Sequence, residues 1–402
     1  MMKKCLLFFF LLLMFLPIVS GCWNQKELTD LAFVMAMGVD RGEDKKFHLS
    51  VQIVNPGNVS LGQGGGGQGL PIVVYKTAGN TVTEGARNLT KQISRRLYYA
   101  HTNLVVVSEE IAKTDFLDIM DALDRDPEFR TTTELVVARH SSAEDVISTL
   151  SLLDKLPVNK ITKEIKGTEK TLGENMHITI DDILASLVSS GKQAVANGIK
   201  LIGNKDEVGK ADILQKTKAD AIPSADGLAI FKSGKLRGWV DQKYARGVVW
   251  LLNKAESTAI NLNWNGKKAA LTIAPIRSKT NVSAIMKNGK PVINVLVENE
   301  GWISEANTTI DLTNPEVIKT IDQKVEKEIK KEIQAAIKAV QKKKSDVIGF
   351  GEVIHRTYPT YWKKVKNDWI NHFPELEVKV KVDSYVRREG IRVNPFWDNL
   401  TK

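Results

Sequence analysis

One cysteine in this chain stands in a sequence context that gives its thiol a specific chemistry. It closes the tetrapeptide Val19, Ser20, Gly21 and Cys22. An aliphatic residue, two small residues and a cysteine are the pattern of the bacterial lipobox. Small residues let a peptidase approach the backbone, and a thiol is the side chain that takes a diacylglyceryl thioether. The pattern therefore predicts cleavage before Cys22 and covalent attachment of lipid to its sulfur.

The residues before this motif have the composition of a signal peptide, which we place at 1–21. Lys3 and Lys4 precede the apolar run Leu6 to Val19, whose 14 residues are fewer than the roughly 20 that a spanning helix needs. The run has no polar face, so a buried core helix is disfavoured. An ordinary secretory signal with a cysteine nearby is the alternative. Acyl chains contribute about 0.8 kcal/mol per buried methylene, so two or three of them would anchor the chain on a membrane.

Beyond the anchor, the side chains that catalyse reactions or bind metals do not form a recognisable pattern. Cys5 is the only other cysteine and leaves with the signal peptide, so no thiol remains for a disulfide, a metal or catalysis. Ser189 and Lys192 fit the Ser-x-x-Lys nucleophile motif, but they lie at a predicted helix end and its partner motifs are missing. No two histidines are three or four residues apart, so only a metal site assembled from distant residues is left open. The histidines are His48, His101, His140, His177, His355 and His372.

A glycine-rich segment at 62–69 is predicted to be a loop between two strands. A phosphate-binding loop would need a lysine and a hydroxyl residue after the glycines, and Gln68, Gly69 and Leu70 stand there instead. We therefore expect no enzyme activity, no metal and no cofactor other than the lipid on Cys22.

The chain is basic, which limits the classes of partner it can have. Its formal net charge is +10, and the loss of Lys3 and Lys4 with the signal peptide leaves +8. A basic protein tethered to an anionic membrane is attracted to its surface. Nucleic acid is disfavoured as a partner because the protein is predicted to be exported and its charges are dispersed.

Aromatic and basic residues interleave near the C-terminal end, and we predict a contact surface there. Tyrosine and tryptophan combine an apolar body with a polar tip, which suits protein interfaces and lipid headgroups. The alternative is that these rings pack helices onto the last sheet. The candidate interface consists of Tyr358, Tyr361, Trp362, Lys363, Lys364 and Trp369.

Alternating strand and helix patterns predict a mixed α/β fold with three consecutive domains. The domains are expected at 22–153, 175–254 and 255–402, with a Lys-rich polar connector at 154–171. Ser142 and Thr179 are predicted N-caps of helices.

A long helix is predicted at about 315–344 in the third domain. Asn314 suits its N-cap, and Pro315 and Glu316 suit its first turn. Apolar residues recur mostly every four positions, so their stripe winds around the helix. This favours a helix lying across a curved sheet over a coiled coil, and the winding face is a second candidate contact surface. The stripe comprises Val317, Ile321, Val325, Ile329, Ile333, Ile337 and Val340.

Several segments in order along the chain resemble the Ger(x)C spore germination lipoproteins. Family members carry a lipobox Gly-Cys-Trp, a Glu-Leu pair and a strand that ends in Gly-Ile/Val-Asp. The long glycine insertion is a departure from the family pattern. The matching segments are GCWNQKELTDLAFVMAMGVD (21–40), GLAIFKSGKLRGWV (227–240), GVVWLLNK (247–254), IRSKT (276–280), GFGEVIHRTYPTYWKKVKNDW (349–369) and FPELEVKVKVDSYVRREG (373–390).

The resemblance implies a C subunit of a nutrient germinant receptor. Such a subunit is expected on the outer face of the spore inner membrane, lipid-anchored beside the integral membrane A and B subunits. The implied fold is three domains, each a β-sheet surrounded by helices. The family offers no catalytic residues to transfer, and Cys22 alone carries a defined chemical role.

Two other functions stay open at this point. An extracytoplasmic solute-binding lipoprotein would capture a nutrient directly and would need a hinged cleft between two lobes. A cell-wall enzyme is disfavoured because the catalytic motifs are missing.

Overall fold

The computed structural model describes residues 27–59, 69–154 and 156–387. The predicted signal peptide 1–21, with lipobox residues Val19, Ser20 and Gly21, lies outside the described residues, as does Cys22. Of the glycine-rich segment 62–69, only Gly69 is described. The inferences about these segments therefore stay predictions.

The described residues form two sheets, and the first has nine strands and extends through both the first and the second predicted domains. The order across it is β3-β2-β1-β5-β6-β7-β8-β9, and β4 pairs with β1. Its centre, β1-β5-β6-β7, is parallel, and antiparallel strands extend it at both ends. The strands are β1 (Leu31–Arg41), β2 (Phe47–Val54), β3 (Ile72–Gly79), β4 (Arg96–Tyr98), β5 (Leu104–Ser108), β6 (Glu134–Ala138), β7 (Val195–Gly203), β8 (Ala221–Lys232) and β9 (Lys235–Val240).

The residue pattern explains where these strands lie. All five residues of β5 and all five of β6 are buried, as expected of parallel strands covered on both faces. The hairpin between β8 and β9 turns at Ser233 and Gly234, whose φ angles are 49° and 71°. Two consecutive positive φ angles match the turn that suits the twist of a two-residue hairpin.

Helices cover both faces of the first sheet, and their start signals are local. The Ser142 side chain accepts a hydrogen bond from the Asp145 N–H (2.9 Å), and Thr179 forms a capping box with Asp182, so both predicted N-caps are confirmed. The helices are α1 (Pro56–Val59), α2 (Val82–Asn88), α3 (Glu109–Thr114), α4 (Phe116–Arg125), α5 (Ala143–Ser148), α6 (Pro157–Thr171), α7 (Ile180–Val188) and α8 (Gln242–Leu251).

The prediction of a polar connector at 154–171 was wrong, because the helix α6 occupies most of that segment. Pro157 stands at its first position, and Val158, Ile161 and Ile165 are buried against the sheet at helical spacing. Lysines dominate the exposed face and mask the narrow apolar stripe in the sequence.

The second sheet has four strands in the order β10-β11-β12-β13, with β12 and β13 parallel and the other pairs antiparallel. The strands β11 and β12 are joined by a turn at Asn288 and Gly289, with φ angles of 50° and 74°. The strands are β10 (Ile260–Trp264), β11 (Lys267–Lys287), β12 (Lys290–Ala306) and β13 (Glu377–Arg387).

The predicted long helix is confirmed as α9 (Pro315–Lys342). Asn314 Oδ1 accepts the Glu316 N–H at 2.9 Å, and the winding apolar stripe is buried apart from the half-buried Val317. Because the stripe packs against α8, β10 and β13, it is not the free contact surface that the sequence suggested. The remaining helices are α10 (Phe350–Thr357), α11 (Pro359–Val365) and α12 (Trp369–His372). Short 3-10 helices lie at Leu28–Asp30, Leu89–Lys91, Tyr99–His101, Lys205–Glu207, Ala211–Gln215, Lys366–Asp368 and Phe373–Glu375.

The mixed α/β class, with sheets surrounded by helices, is confirmed. The three domain boundaries stay predictions. What the sequence did not indicate is that β6 pairs with β7, so that strands assigned to two predicted domains form one sheet. No helix in the described part of the chain combines the length and apolarity that crossing a membrane requires.

Candidate functional site

The loop 189–193 meets residues 345–352, and we call this contact the junction. The loop leads into β7 of the first sheet, and the second segment begins α10. The Gln193 N–H donates to the Asp346 carbonyl oxygen (2.8 Å), and the Ser345 hydroxyl donates to the Phe231 carbonyl oxygen in β8. The junction therefore ties the first sheet to the short helices of the C-terminal half.

A buried carboxylate organises the junction. Asp346 accepts hydrogen bonds from the backbone N–H groups of Gly349 (2.9 Å), Phe350 (3.1 Å) and Gly351 (2.8 Å), and from Nε1 of Trp369 (3.0 Å). It thereby satisfies N–H groups that the first turn of α10 leaves unpaired. Burial raises the pKa of Asp346 to about 6, although the four N–H donors favour its charged form.

Two glycines allow the backbones of the junction to touch. A Cβ on Gly191 would lie 2.6 Å from the Glu352 nitrogen, and one on Gly351 would lie 2.7 Å from the Gly191 carbonyl oxygen. Beside them, Ser189 Oγ donates to Glu352 Oε1 at 2.7 Å. The hydroxyl of the Ser-x-x-Lys motif is thus engaged in joining the loop to α10, which gives the enzyme hypothesis no support.

A second contact, between α8 and α9, joins the N-terminal half of the chain, which forms the first sheet, to the C-terminal half, which forms the second. Arg246 forms a two-pronged ion pair with Glu332, with Nε 2.8 Å from Oε2, and its Nη1 donates to Thr258 Oγ1 at 2.8 Å. Gly247 sits directly against α9, because a Cβ there would lie 2.4 Å from the Glu332 carbonyl oxygen. Bidentate pairing fixes orientation as well as distance.

The predicted aromatic and basic interface is only partly available at the surface. Trp362 and Trp369 are 1 % and 3 % exposed, and their ring centroids lie 5.2 Å apart at 66°. They pack inside the protein, so the structure removes these two residues from the candidate interface. The sequence had left this packing open as the alternative.

The other four residues of the interface are placed where a partner can reach them. Tyr358 and Tyr361 are half-buried, and Lys363 and Lys364 are exposed on α11. Tyr358 Oη accepts the N–H of Met286 (3.1 Å), which ties these helices to the β11–β12 hairpin. We call Tyr358, Tyr361, Lys363 and Lys364 the α11 surface, and its role as a contact surface stays a prediction.

The junction and the α8–α9 contact connect structural elements that are distant in the sequence. Among the described residues, no group of three or more His, Cys, Asp or Glu side chains could hold a metal ion. All of the Asp346 contacts are donors from its own chain, and the two halves are packed directly together at the junction and along α8 and α9. This packing does not supply the hinged cleft between lobes that the solute-binding hypothesis requires.

Sequence reasoning missed Asp346, Arg246 and Glu332. Asp346 stands three residues before Gly349, the N-cap of α10, and therefore outside the position where a capping residue is recognised in sequence. The Arg246–Glu332 pair spans 86 positions, and no local pattern indicates such a contact.

Two family models match the chain in series. The model described as spore germination protein N-terminal domain matches residues 24–201. The model described as spore germination B3/GerAC like, C-terminal, matches residues 226–390. Together they cover most of both sheets, the junction and the α8–α9 contact.

Curated relatives match over nearly their full lengths. Spore germination protein KC of Bacillus subtilis (strain 168) is 42% identical over 400 residues, which is 98% of each chain. Spore germination protein B3 of the same organism is 23% identical, over 94% of this chain and 96% of the relative. Spore germination protein GerQC of Bacillus cereus is 22% identical, over 97% of this chain and 99% of the relative.

A solved structure shows a similar fold. The crystal structure of the GerBC protein aligns with a TM-score of 0.52 and 18% sequence identity, covering 90% of this chain and 99% of that one. On the two family models and the full-length relative at 42% identity, the chain belongs to the spore germination B3/GerAC-like family.

Proposed function

We propose that this chain is a non-enzymatic, lipid-anchored C subunit of a spore nutrient germinant receptor. It would lie on the outer face of the spore inner membrane, bound to the integral membrane A and B subunits, and act in receptor assembly or signal coupling. The observation that supports this most is the likeness to spore germination protein KC over 98% of both chains.

The geometry is compatible with a coupling role. The junction and the α8–α9 contact hold the two sheets in a fixed relation through hydrogen bonds, an ion pair and close glycine contacts. A change in the position of one sheet would therefore move the other. The α11 surface lies on helices tied to the junction by Trp369 and is our proposed contact with a membrane subunit.

The anchor is tested by changing Cys22→Ala in the full chain. The variant should accumulate as an uncleaved precursor without lipid, because the thiol that takes the diacylglyceryl group is gone. Mass spectrometry of the intact protein reads cleavage and lipid together. Ser20→Ala, which keeps a small residue before the cysteine, is the matched control and should be processed normally. Processing of the Cys22→Ala protein to the lipid-bearing mature mass would disprove the anchor.

The contact surface is tested by reversing two adjacent charges, Lys363→Glu with Lys364→Glu. Recovery of membrane subunits with the tagged protein should fall several-fold, since like charges at a contact oppose association. Lys267→Glu with Lys268→Glu, an adjacent exposed pair at the start of β11, is the control. Equal recovery with both double variants would rule out the α11 surface.

A further inference from the structure

A cleft in the N-terminal half lies away from the junction and from the α8–α9 contact. It has a volume of about 720 Å³, within the range of small-molecule sites, and lies between α2, the 3-10 helix Leu89–Lys91, β4 and the end of α4. Its inner wall is apolar and buried. That wall comprises Met37, Val82, Leu97 and Leu123, with the half-buried Phe129 beside them.

A buried hydroxyl group on the wall has no hydrogen-bond partner within the described residues. Tyr99 is 8 % exposed, its ring stacks on Phe129 with centroids 5.3 Å apart, and its Oη has no hydrogen-bond partner among the described residues. Burial, with the charges of Asp126 and Glu128 nearby, raises the pKa of Tyr99. The hydroxyl therefore stays protonated and can donate a hydrogen bond. Buried polar groups are nearly always satisfied, so this hydroxyl is a donor that an ordered water or a bound acceptor would satisfy.

The rim of the cleft carries an excess of unpaired positive charge. Arg87 and Arg95 are exposed on it and form no ion pair within the described part of the chain. Of the two carboxylates on the rim, Glu128 pairs with Arg96 at 2.5 Å, whereas Asp126 Oδ1 accepts only the Glu128 N–H at 2.9 Å and keeps its charge. The three arginines of the cleft lining, Arg87, Arg95 and Arg96, still outnumber these two carboxylates by one. Guanidinium groups bind planar carboxylates in a bidentate manner.

We propose that this cleft binds a small organic anion with an apolar, preferably aromatic, body. The carboxylate would lie between Arg87 and Arg95 with the Tyr99 hydroxyl as a further donor, and the apolar body would fill the pocket beside Met37, Leu123 and Phe129. This binding goes beyond the proposed receptor function and does not depend on it, since it rests on the cleft residues alone.

The test uses 3-phenylpropionate as the probe and the full chain purified in mild detergent. Calorimetry should give saturable binding in the millimolar range, as expected for a ligand of this size. Neutral 3-phenylpropan-1-ol carries the same ring and enters detergent micelles more readily, so the heat of each compound is corrected with a titration into detergent alone. It should bind at least about tenfold more weakly because it lacks the charge. Equal affinity for both compounds, or no saturable binding of either, would overturn the proposal.

Variants locate the binding within the cleft. Arg87→Gln with Arg95→Gln, and Tyr99→Phe separately, should each weaken 3-phenylpropionate binding about tenfold. Ala122→Phe, on the cleft wall, should block binding by filling it. The exposed Arg237→Gln on β9 is the control and should bind as the unaltered chain does. Thermal unfolding of each variant shows whether it has folded, and unaltered affinity in folded Arg87/Arg95 and Tyr99 variants would contradict the site.

Chemical labelling gives a second readout that does not depend on binding heat. Phenylglyoxal modifies exposed arginines, and peptide mass spectrometry reports each one separately. Adding 3-phenylpropionate should protect Arg87 and Arg95 but leave Arg237 unprotected in the same molecule. Equal labelling of all three arginines with and without the probe would refute the assignment, even if the receptor proposal held.

Discussion

At the residue scale, Asp346 brings together parts of the chain that are separate in sequence. Its carboxylate accepts three backbone N–H groups at the start of α10 and the indole N–H of Trp369, while its carbonyl oxygen accepts the Gln193 N–H. Removing one buried acceptor would leave several donors unsatisfied, and each unsatisfied buried group costs about 1–3 kcal/mol. Asp346 is therefore the residue on which the junction depends most.

The protonation of Asp346 predicts a pH dependence of stability. Its pKa is raised from 3.8 to about 6 in the folded protein, so the folded state binds the proton more tightly. The stabilisation from this group is fully present below about pH 4 and is lost as the pH rises through about 6. Asp346→Asn should unfold more easily, because its NH₂ group faces N–H donors, and it should lack this pH dependence. The destabilisation relative to the unaltered chain should thus shrink from pH 4 to pH 7.

Urea unfolding of both proteins across this pH range measures the difference directly. Comparing the two proteins at each pH cancels the other titrating groups, which both share. A difference that is constant with pH, or that grows as pH rises, would contradict the raised pKa.

The sequence indicated the chemistry of single residues unevenly. Asn314, Ser142 and Thr179 were identified as caps because a cap acts on the residues that follow it directly. Trp362 and Trp369 were assigned to a surface because interleaved aromatic and basic residues occur both at interfaces and on helices with one buried side. Only tertiary contacts decide between these two placements. Trp369 donates its indole N–H to Asp346, and Trp362 packs against Trp369.

At the element scale, the packing of α8 on α9 depends on the missing side chain of Gly247. A Cβ there would lie 2.4 Å from the Glu332 carbonyl oxygen and 2.6 Å from the Ala336 Cβ. Gly247→Ala should therefore separate the helices and strain the Arg246–Glu332 pair, with a loss of about 1–3 kcal/mol of unfolding free energy. Urea unfolding of the full chain is the measurement.

Gly167 provides the matched control, because it is also inside a helix, α6. A Cβ at Gly167 would meet no atom within 4 Å. Gly167→Ala should raise the unfolding free energy by about 0.5–1 kcal/mol, since alanine is the better helix former. Similar effects of the two substitutions would show that close packing at Gly247 is not important.

Elements with strong periodicity were predicted well, and those with a narrow apolar stripe were not. The helix α9 carries an N-cap and an apolar residue in almost every turn. Its predicted start, Pro315, is therefore the observed one. In α6, lysines surround Val158, Ile161 and Ile165, so the same stretch resembled a polar connector. Both hairpins at Ser233–Gly234 and Asn288–Gly289 were predictable because turn chemistry is local.

At the scale of the whole molecule, the pairing of β6 with β7 makes one sheet from strands that sequence analysis assigned to two domains. Between these strands lie α5, α6 and α7, and a parallel pairing across such a crossover leaves no local trace in the sequence. Fold class could be predicted because it follows from the types and order of elements. How the sheets divide the chain could not, because it follows from contacts between distant residues.

The central claim is that this chain is a subunit of a membrane receptor, and recovery of its complex tests that most directly. The tagged full chain would be extracted from spore membranes in mild detergent, with mass spectrometry of the proteins that come with it. Two integral membrane proteins in amounts comparable to the tagged chain are the expected result. Recovery of the tagged chain alone, from membranes shown to be well solubilised, would contradict the receptor proposal.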